Sequence, residues 1–291
     1  MERRGLYPYL WGLLLLCMAC GESSDEGEAP EPEIPTASEF PYTAFRSIET
    51  SEVQHSDAQA VTLIRTFGYN GEGKIVSYTM CQRYQAVEAV EMKRTTTVSH
   101  GEGTVVVTEE TGNSYTYTLN DNRRAATCLW QSVNGSQRHY AFSYHTSSTG
   151  TPLLKSVTET LQGETQPFAS IEVDYDEATP IVTQSLNGAT QSHRLTLATG
   201  AAGINTATLP PLFLSELYPL SEHLPALYGK LLGEPLPFLV EQVTPIADND
   251  GNESITYTYS LNEEGLPITI KAVTTSYGNH FTREIETTFN D

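Results

Sequence analysis

Basic side chains are scarce in this sequence: 16 Lys and Arg stand against 36 Asp and Glu in 291 residues, a formal charge of −20. Nucleic-acid affinity comes mainly from Lys and Arg displacing counterions, so the balance excludes an electrostatic nucleic-acid binder. Cysteine is also scarce, with Cys17 and Cys20 near the start and Cys81 and Cys128 in the body, which rules out a disulfide-rich scaffold. No apolar run reaches the roughly 18 residues of a membrane helix, since the longest runs only from Leu6 to Ala19. No G-x-S-x-G elbow, H-E-x-x-H helix or phosphate loop occurs, so no catalytic or cofactor signature is present and a noncatalytic role is expected. What remains is 38% apolar residues, only 18% charged, and a polar fraction rich in Thr, Ser, Asn, Gly and Tyr. Thr and Tyr favour the pleated surface, so the chain reads as a folded, strand-rich body.

The first segment is an address. Arg3 and Arg4 precede the apolar stretch, which is too short to span a bilayer and reads as a secretory signal over residues 1–19. It ends Leu16-Cys17-Met18-Ala19-Cys20-Gly21, which resembles the lipobox of bacterial lipoproteins, although Cys17 replaces the usual aliphatic residue. That resemblance implies Cys20 as the lipidated first residue of an exported chain, bound to the membrane through acyl groups such as palmitate.

Removing Glu2, Arg3 and Arg4 leaves 35 acidic and 14 basic side chains, so acidity belongs to the exported part. Residues 21–39 hold Glu22, Asp25, Glu26, Glu28, Glu31, Glu33 and Glu39, three prolines and no cation. Repulsion and proline stiffness make residues 20–54 an extended, solvated tether. The run Gly21–Glu28 also resembles the acidic export signal of surface-displayed Bacteroidetes lipoproteins.

Between residues 58 and 198, short runs rich in Val, Ile, Thr and Tyr alternate with turn clusters about every ten residues. Eleven strands are expected there and three more near 254–260, 267–275 and 281–289, joined as antiparallel neighbours because the links are short. Tyr115-Thr116-Tyr117-Thr118-Leu119-Asn120-Asp121 recurs as Tyr257-Thr258-Tyr259-Ser260-Leu261-Asn262-Glu263. Each copy puts two aromatics on one strand face and then breaks at an Asn turn, so the repeat is a hairpin. Residues 205–245 break the pattern. Pro210 and Pro211 introduce a Leu-rich stretch, Ser221 is placed to cap a second helix and Gly233 to stop it, giving a helical insert near 210–233 over one sheet face. The expected fold is mainly β: a large twisted antiparallel meander sheet, open or curled to a half-barrel, forming one domain over 55–291. Cys81 and Cys128, four strands apart, lie roughly 19 Å from each other in such a sheet and are expected to be free.

The order of these features resembles Bacteroidetes lipoproteins carrying a domain of unknown function described as porin-like. The resemblance rests on the lipobox, the Tyr-x-Tyr hairpins, Tyr228-Gly229-Lys230-Leu231-Leu232-Gly233 with Leu236-Pro237, and the closing Tyr257–Pro267 segment. The hairpins are also similar to the tyrosine-aspartate repeats of bacterial surface proteins. Neither likeness implies a catalytic residue.

Candidate sites are few. Asp248-Asn249-Asp250-Gly251-Asn252-Glu253 holds only part of a calcium loop, and His139 and His145 are too far apart along a strand for a shared metal, so no metal or cofactor is expected. The remaining lead is aromatic: Tyr115, Tyr117, Trp130, Tyr144, Tyr257 and Tyr259, with Tyr140 beside them, suit a sugar-stacking or peptide-binding surface if exposed, and a core if they lie under the insert. The expected function is a noncatalytic, monomeric outer-membrane or cell-surface lipoprotein that binds a glycan or protein or acts as a scaffold. A carrier of lipid under the insert and an enzyme of unrecognised type are the alternatives. The first requires a cavity of several hundred Å³ beneath residues 210–240, and the second converging polar groups with shifted pKa values. A membrane-spanning barrel is disfavoured because strands such as Lys155–Glu159 carry polar groups on either face.

Overall fold

The computed structural model describes residues 45–55, 60–85, 90–175, 179–246 and 253–291. The signal, Cys20, most of the tether and the centre of the 248–253 loop lie outside the described residues. Sixteen strands follow one another: β1 (Ser47–His55), β2 (Ala60–Tyr69), β3 (Ile75–Gln85), β4 (Val90–His100), β5 (Thr104–Glu109), β6 (Ser114–Leu119), β7 (Ala125–Gln131), β8 (Gln137–Thr146), β9 (Pro152–Leu161), β10 (Ala169–Asp174), β11 (Ile181–Leu186), β12 (Ala189–Leu197), β13 (Val240–Pro245), β14 (Ser254–Leu261), β15 (Pro267–Ser276) and β16 (Asn279–Asn290). Each pairs antiparallel with its sequence neighbours, and β1 pairs with β16 from Ser47↔Asn290 to Glu52↔Ile285, so the sheet closes into a barrel. Closure removes the exposed edges that an open meander leaves.

Period-two alternation decides the two faces of this wall. Ile48, Phe67, Val105, Val107, Tyr115, Tyr117, Val157, Ile171, Val182, Leu195 and Ile285 point inward and are buried. Their neighbours point outward and are mostly hydroxyl-bearing: Thr79 opposite Thr95, Ser77 opposite Thr97, Thr118 opposite Thr127, Ser170 opposite Thr158, and Thr258 opposite Lys271. Some outer hydroxyls bond across strands, as Ser143 with Ser156 at 2.6 Å and Thr183 with Ser192 at 2.9 Å. A membrane-spanning barrel needs an outward apolar band. The outward residues of the described strands are mostly Thr, Ser, Glu and Lys, with scattered apolar ones such as Ile64, Val106, Leu129 and Val273, and form none.

Residues 198–239 leave β12 and enter the barrel before returning as β13. The insert holds helix α1 (Leu212–Glu216), a 3-10 turn over Leu220–His223 and helix α2 (Leu224–Tyr228). Helices this short have little stability of their own, so packing holds them. Phe213, Leu214, Leu217, Leu220, Ala226, Leu231 and Leu232 join the wall residues in one apolar cluster. Contacts come from all round the wall: Phe67 stacks on Tyr228 at 3.7 Å, Tyr144 Oη donates to the Leu231 carbonyl, Gln184 Nε2 to that of Tyr218, and Arg283 binds Glu216.

The barrel has two unlike rims. At the entry rim the chain enters β1, leaves β16 and roots the insert, and the hairpin turns are tight. Asn70, Asn120 and Asn262 each accept hydrogen bonds from the backbone N–H groups two and four residues onward. This explains the internal repeat, because its copies are strands running to the same rim and ending in the same Asn turn. The far rim carries the turns that end β5, β7, β11 and β15.

Several expectations are corrected. The sheet is a closed barrel, not an open or half-open meander, because β1, which begins at Ser47 inside the residues 20–54 that read as tether, pairs with β16. β1 carries no strand signal of its own because Thr50 and Glu52 occupy its inward positions beside Ile48 and break the apolar alternation. β13 was hidden by its length and Pro245. The insert stops the lumen instead of covering an open face, and Ser221 caps nothing, since it lies inside the 3-10 turn. Cys81 and Cys128 are free and buried on β3 and β7, with Cys81 on the outward and Cys128 on the inward register.

Candidate functional site

Above the insert, toward the far rim, inward-facing side chains lose their cover. Val90, Met92, Arg94, Leu186, Gln191 and Phe281 stand on inward registers yet are exposed, so this end of the barrel is an open mouth. Its floor is the insert segment Glu216–His223, and charged wall residues converge on it from β1, β8, β9 and β16.

On one side of the floor, Glu159 of β9 is fully buried and accepts hydrogen bonds from Arg138 Nη1 at 3.1 Å and from the Tyr218 hydroxyl. Arg138 also donates to Tyr218 Oη at 2.9 Å, and its guanidinium lies 5.1 Å over the Trp130 ring. On the other side Arg283 of β16 grips Glu216 with two hydrogen bonds of 2.8 and 3.1 Å, with Glu52 of β1 at 3.7 Å. Between them Glu222 accepts a hydrogen bond from the Tyr115 hydroxyl at 3.4 Å. Burial raises the carboxyl pKa of Glu216 and Glu222 above the ordinary range, and neighbouring Arg283 and Arg138 respectively pull them back.

Directly below, His223 is sealed among the rings of Tyr115, Tyr117, Tyr140 and Phe142. It shares a 2.8 Å hydrogen bond with the Tyr117 hydroxyl, and burial depresses its pKa to about 3. A neutral imidazole without access to solvent does not serve as an acid–base group at the mouth. Burial likewise pushes the Cys128 thiol pKa up, which keeps it protonated and unreactive. The floor is thus a set of fixed, oriented charges suited to polar recognition. Among the described residues no cluster of three metal-ligating side chains occurs.

The aromatic set divides. Tyr117 and Tyr257 are fully enclosed, and Tyr144 and Tyr259 are largely buried, with hydroxyls donated to the carbonyls of Ala125 and Val240. These four pack beneath or beside the insert and form no exposed stacking stripe. Trp130 and the hydroxyl of Tyr115 reach the mouth. Arg138, Glu159, Glu216, Glu222 and Arg283 were not anticipated. Arg138 shares the inward register of Tyr140 and Phe142, and a cation on an otherwise apolar face was the available signal.

Two cavities between the Leu209–Leu224 side of the insert and the wall measure only about 40 and 20 Å³. A larger cavity of about 460 Å³ lies at the entry rim, between the turns and Gly229, Lys230 and Leu231 of the insert.

A sixteen-stranded antiparallel barrel stopped by its own insert is a porin-like architecture without an open pore. The chain belongs to the family described as a domain of unknown function, DUF4595, with porin-like fold, whose model matches residues 67–269. It is similar to a porin-like protein from Bacteroides uniformis, at 35% identity and a TM-score of 0.80, over 89% of this chain and 100% of that one. A porin-like protein from Bacteroides vulgatus, at 11% identity and a TM-score of 0.52 over 83% of this chain and 97% of that one, shares the fold alone. No protein of curated function matches the chain.

Proposed function

We propose that this chain is a noncatalytic, lipid-anchored outer-membrane module whose far mouth binds a polar glycan or peptide. The observation carrying this reading is the open mouth itself: the wall is hydroxyl-coated outside and apolar inside, and the far rim leaves inward-facing side chains uncovered over a charged floor. Arg138 on Trp130, with Glu222 nearby, offers a stacking plane beside donors and acceptors, which is what sugars and peptide groups need. The anchor reading is supported by the Ala19-Cys20 sequence.

Trp130 is the only tryptophan after residue 20, so its emission reports on the mouth. Titration of the purified body with panels of oligosaccharides and peptides is expected to yield a ligand that shifts this emission and binds Arg138→Ala at least about tenfold more weakly, the loss of one charge-assisted contact. A ligand whose binding ignores Arg138→Ala would place the site elsewhere. In cells, an alkyne palmitate analogue is expected to label the native protein and not Cys20→Ala; equal labelling of both would refute the anchor.

A further inference from the structure

The entry-rim cavity of about 460 Å³ gathers cations in a chain poor in them. Lys74 comes from the β2–β3 turn, Arg123 and Arg124 from the β6–β7 turn, and Lys230 from the segment after α2. These are four of the 16 Lys and Arg, and Glu102 is the one acid in the cavity lining. The junction that places Lys230 is tight: a Cβ on Gly229 would stand 2.5 Å from the Ile75 side chain and 2.8 Å from the Pro225 carbonyl. Arg123 and Lys230 hold positive φ angles of 57° and 58°, a backbone that glycine adopts at lower cost.

Two cations meet at the back of the cavity. Arg124 Nη2 lies 2.7 Å from one oxygen of Glu234, and Lys230 Nζ bonds the other. These side chains are poorly exposed, at 20% for Arg124, 6% for Lys230 and 13% for Glu234. Arg124 Nε is buried there without a hydrogen-bond partner. A buried donor left without an acceptor is costly, and an oxygen of an incoming anion satisfies it. At the opening, Lys74 is paired only with the exposed Glu72, and the exposed Arg123 makes no side-chain hydrogen bond or ion pair among the described residues.

We propose that this cavity binds a phosphate monoester carried on a sugar-sized ligand. The volume falls within the range of small-molecule sites. The cations approach from three separate segments, an arrangement that suits the several oxygens of a tetrahedral dianion, whereas a planar carboxylate is satisfied by one guanidinium fork. Two sources share this chemistry: a free sugar phosphate, and the phosphorylated headgroup of a lipid. The chain enters the barrel at this same rim, so a lipid-anchored form would bring the cavity within reach of headgroups; only that source rests on the anchor reading.

Calorimetric titration of the purified body with glucose 6-phosphate, glucose and glucuronate, and co-sedimentation with phosphatidylcholine vesicles with and without phosphatidic acid, test the proposal. Glucose 6-phosphate or the phosphatidic-acid vesicles should bind, glucose and plain vesicles should not, and the Lys74→Ala/Arg123→Ala double variant should lose at least about tenfold in affinity. Binding of the hexose phosphate identifies a soluble ligand, and binding of the anionic vesicles alone a headgroup. A thermal melt matching the native protein assigns the loss to the site. If the double variant melts lower, the single Arg123→Ala change, at an exposed side chain, is read instead. The proposal is overturned if neither phosphate probe binds, if glucuronate binds as tightly as glucose 6-phosphate, or if the variants bind unchanged.

Discussion

The two faces of the barrel wall are built from alternate residues of the same strands and obey opposite rules. Phe67, Tyr117, Val157 and Leu195 point inward and pack on the insert, while Thr116, Thr158 and Thr196 beside them point to solvent. A pore-forming barrel puts its apolar residues outside and water within. Here the polarity is reversed. The fold of a membrane channel therefore serves as a closed shell around an apolar core, and closure of a sheet does not by itself make a channel.

The contrast can be broken by substitution at neighbouring registers. Phe67→Ala removes a fully buried ring stacked between Tyr228 and Tyr78, so it is expected to cost about 3–5 kcal/mol in urea unfolding. Thr158→Ala on the outer face should stay within about 0.5 kcal/mol. Equal losses at the two positions would mean that the lumen is not a packed core.

A smaller effect sharpens the inner side. His223 titrates at about 3 in the folded chain and near 6.5 when unfolded. Between these values the unfolded state binds a proton that the folded state refuses, so stability falls as pH falls through this window, by up to about 1.4 kcal/mol per unit. Glu216 and Glu222, with raised pKa values, act in the opposite sense as pH falls toward 4.5. Comparison with His223→Leu isolates the histidine: the stability of the native protein relative to the variant should decline on acidification below 6.5. A difference independent of pH would show that the imidazole is not buried in its neutral form.

Legibility followed local signals. Fourteen of the strands are marked by runs of Val, Ile, Thr and Tyr and by Asn-Gly turns, and the hairpin repeat is explained by turns at one rim. β1 and β13 lacked such marks, and β1 is the strand that joins β16 to β2. The mouth was less legible still. Trp130 was expected, but Glu159 and Arg138 sit on β9 and β8, Glu216 and Glu222 on the insert, and Arg283 on β16, and nothing local relates them. The cationic cavity likewise joins turns separated by as many as 156 residues, from Lys74 to Lys230.

By itself the sequence determined the strand-rich body, its antiparallel hairpins, the acidic surface and the lack of a catalytic motif, because alternation, turn chemistry and charge are properties of neighbouring residues. Only the tertiary structure decided that the meander closes, that the insert goes inside it, and which charges meet at each rim. Those outcomes depend on pairing β1 with β16 and on burying a Leu-rich segment against sixteen strands at once, interactions between residues that no local pattern brings together.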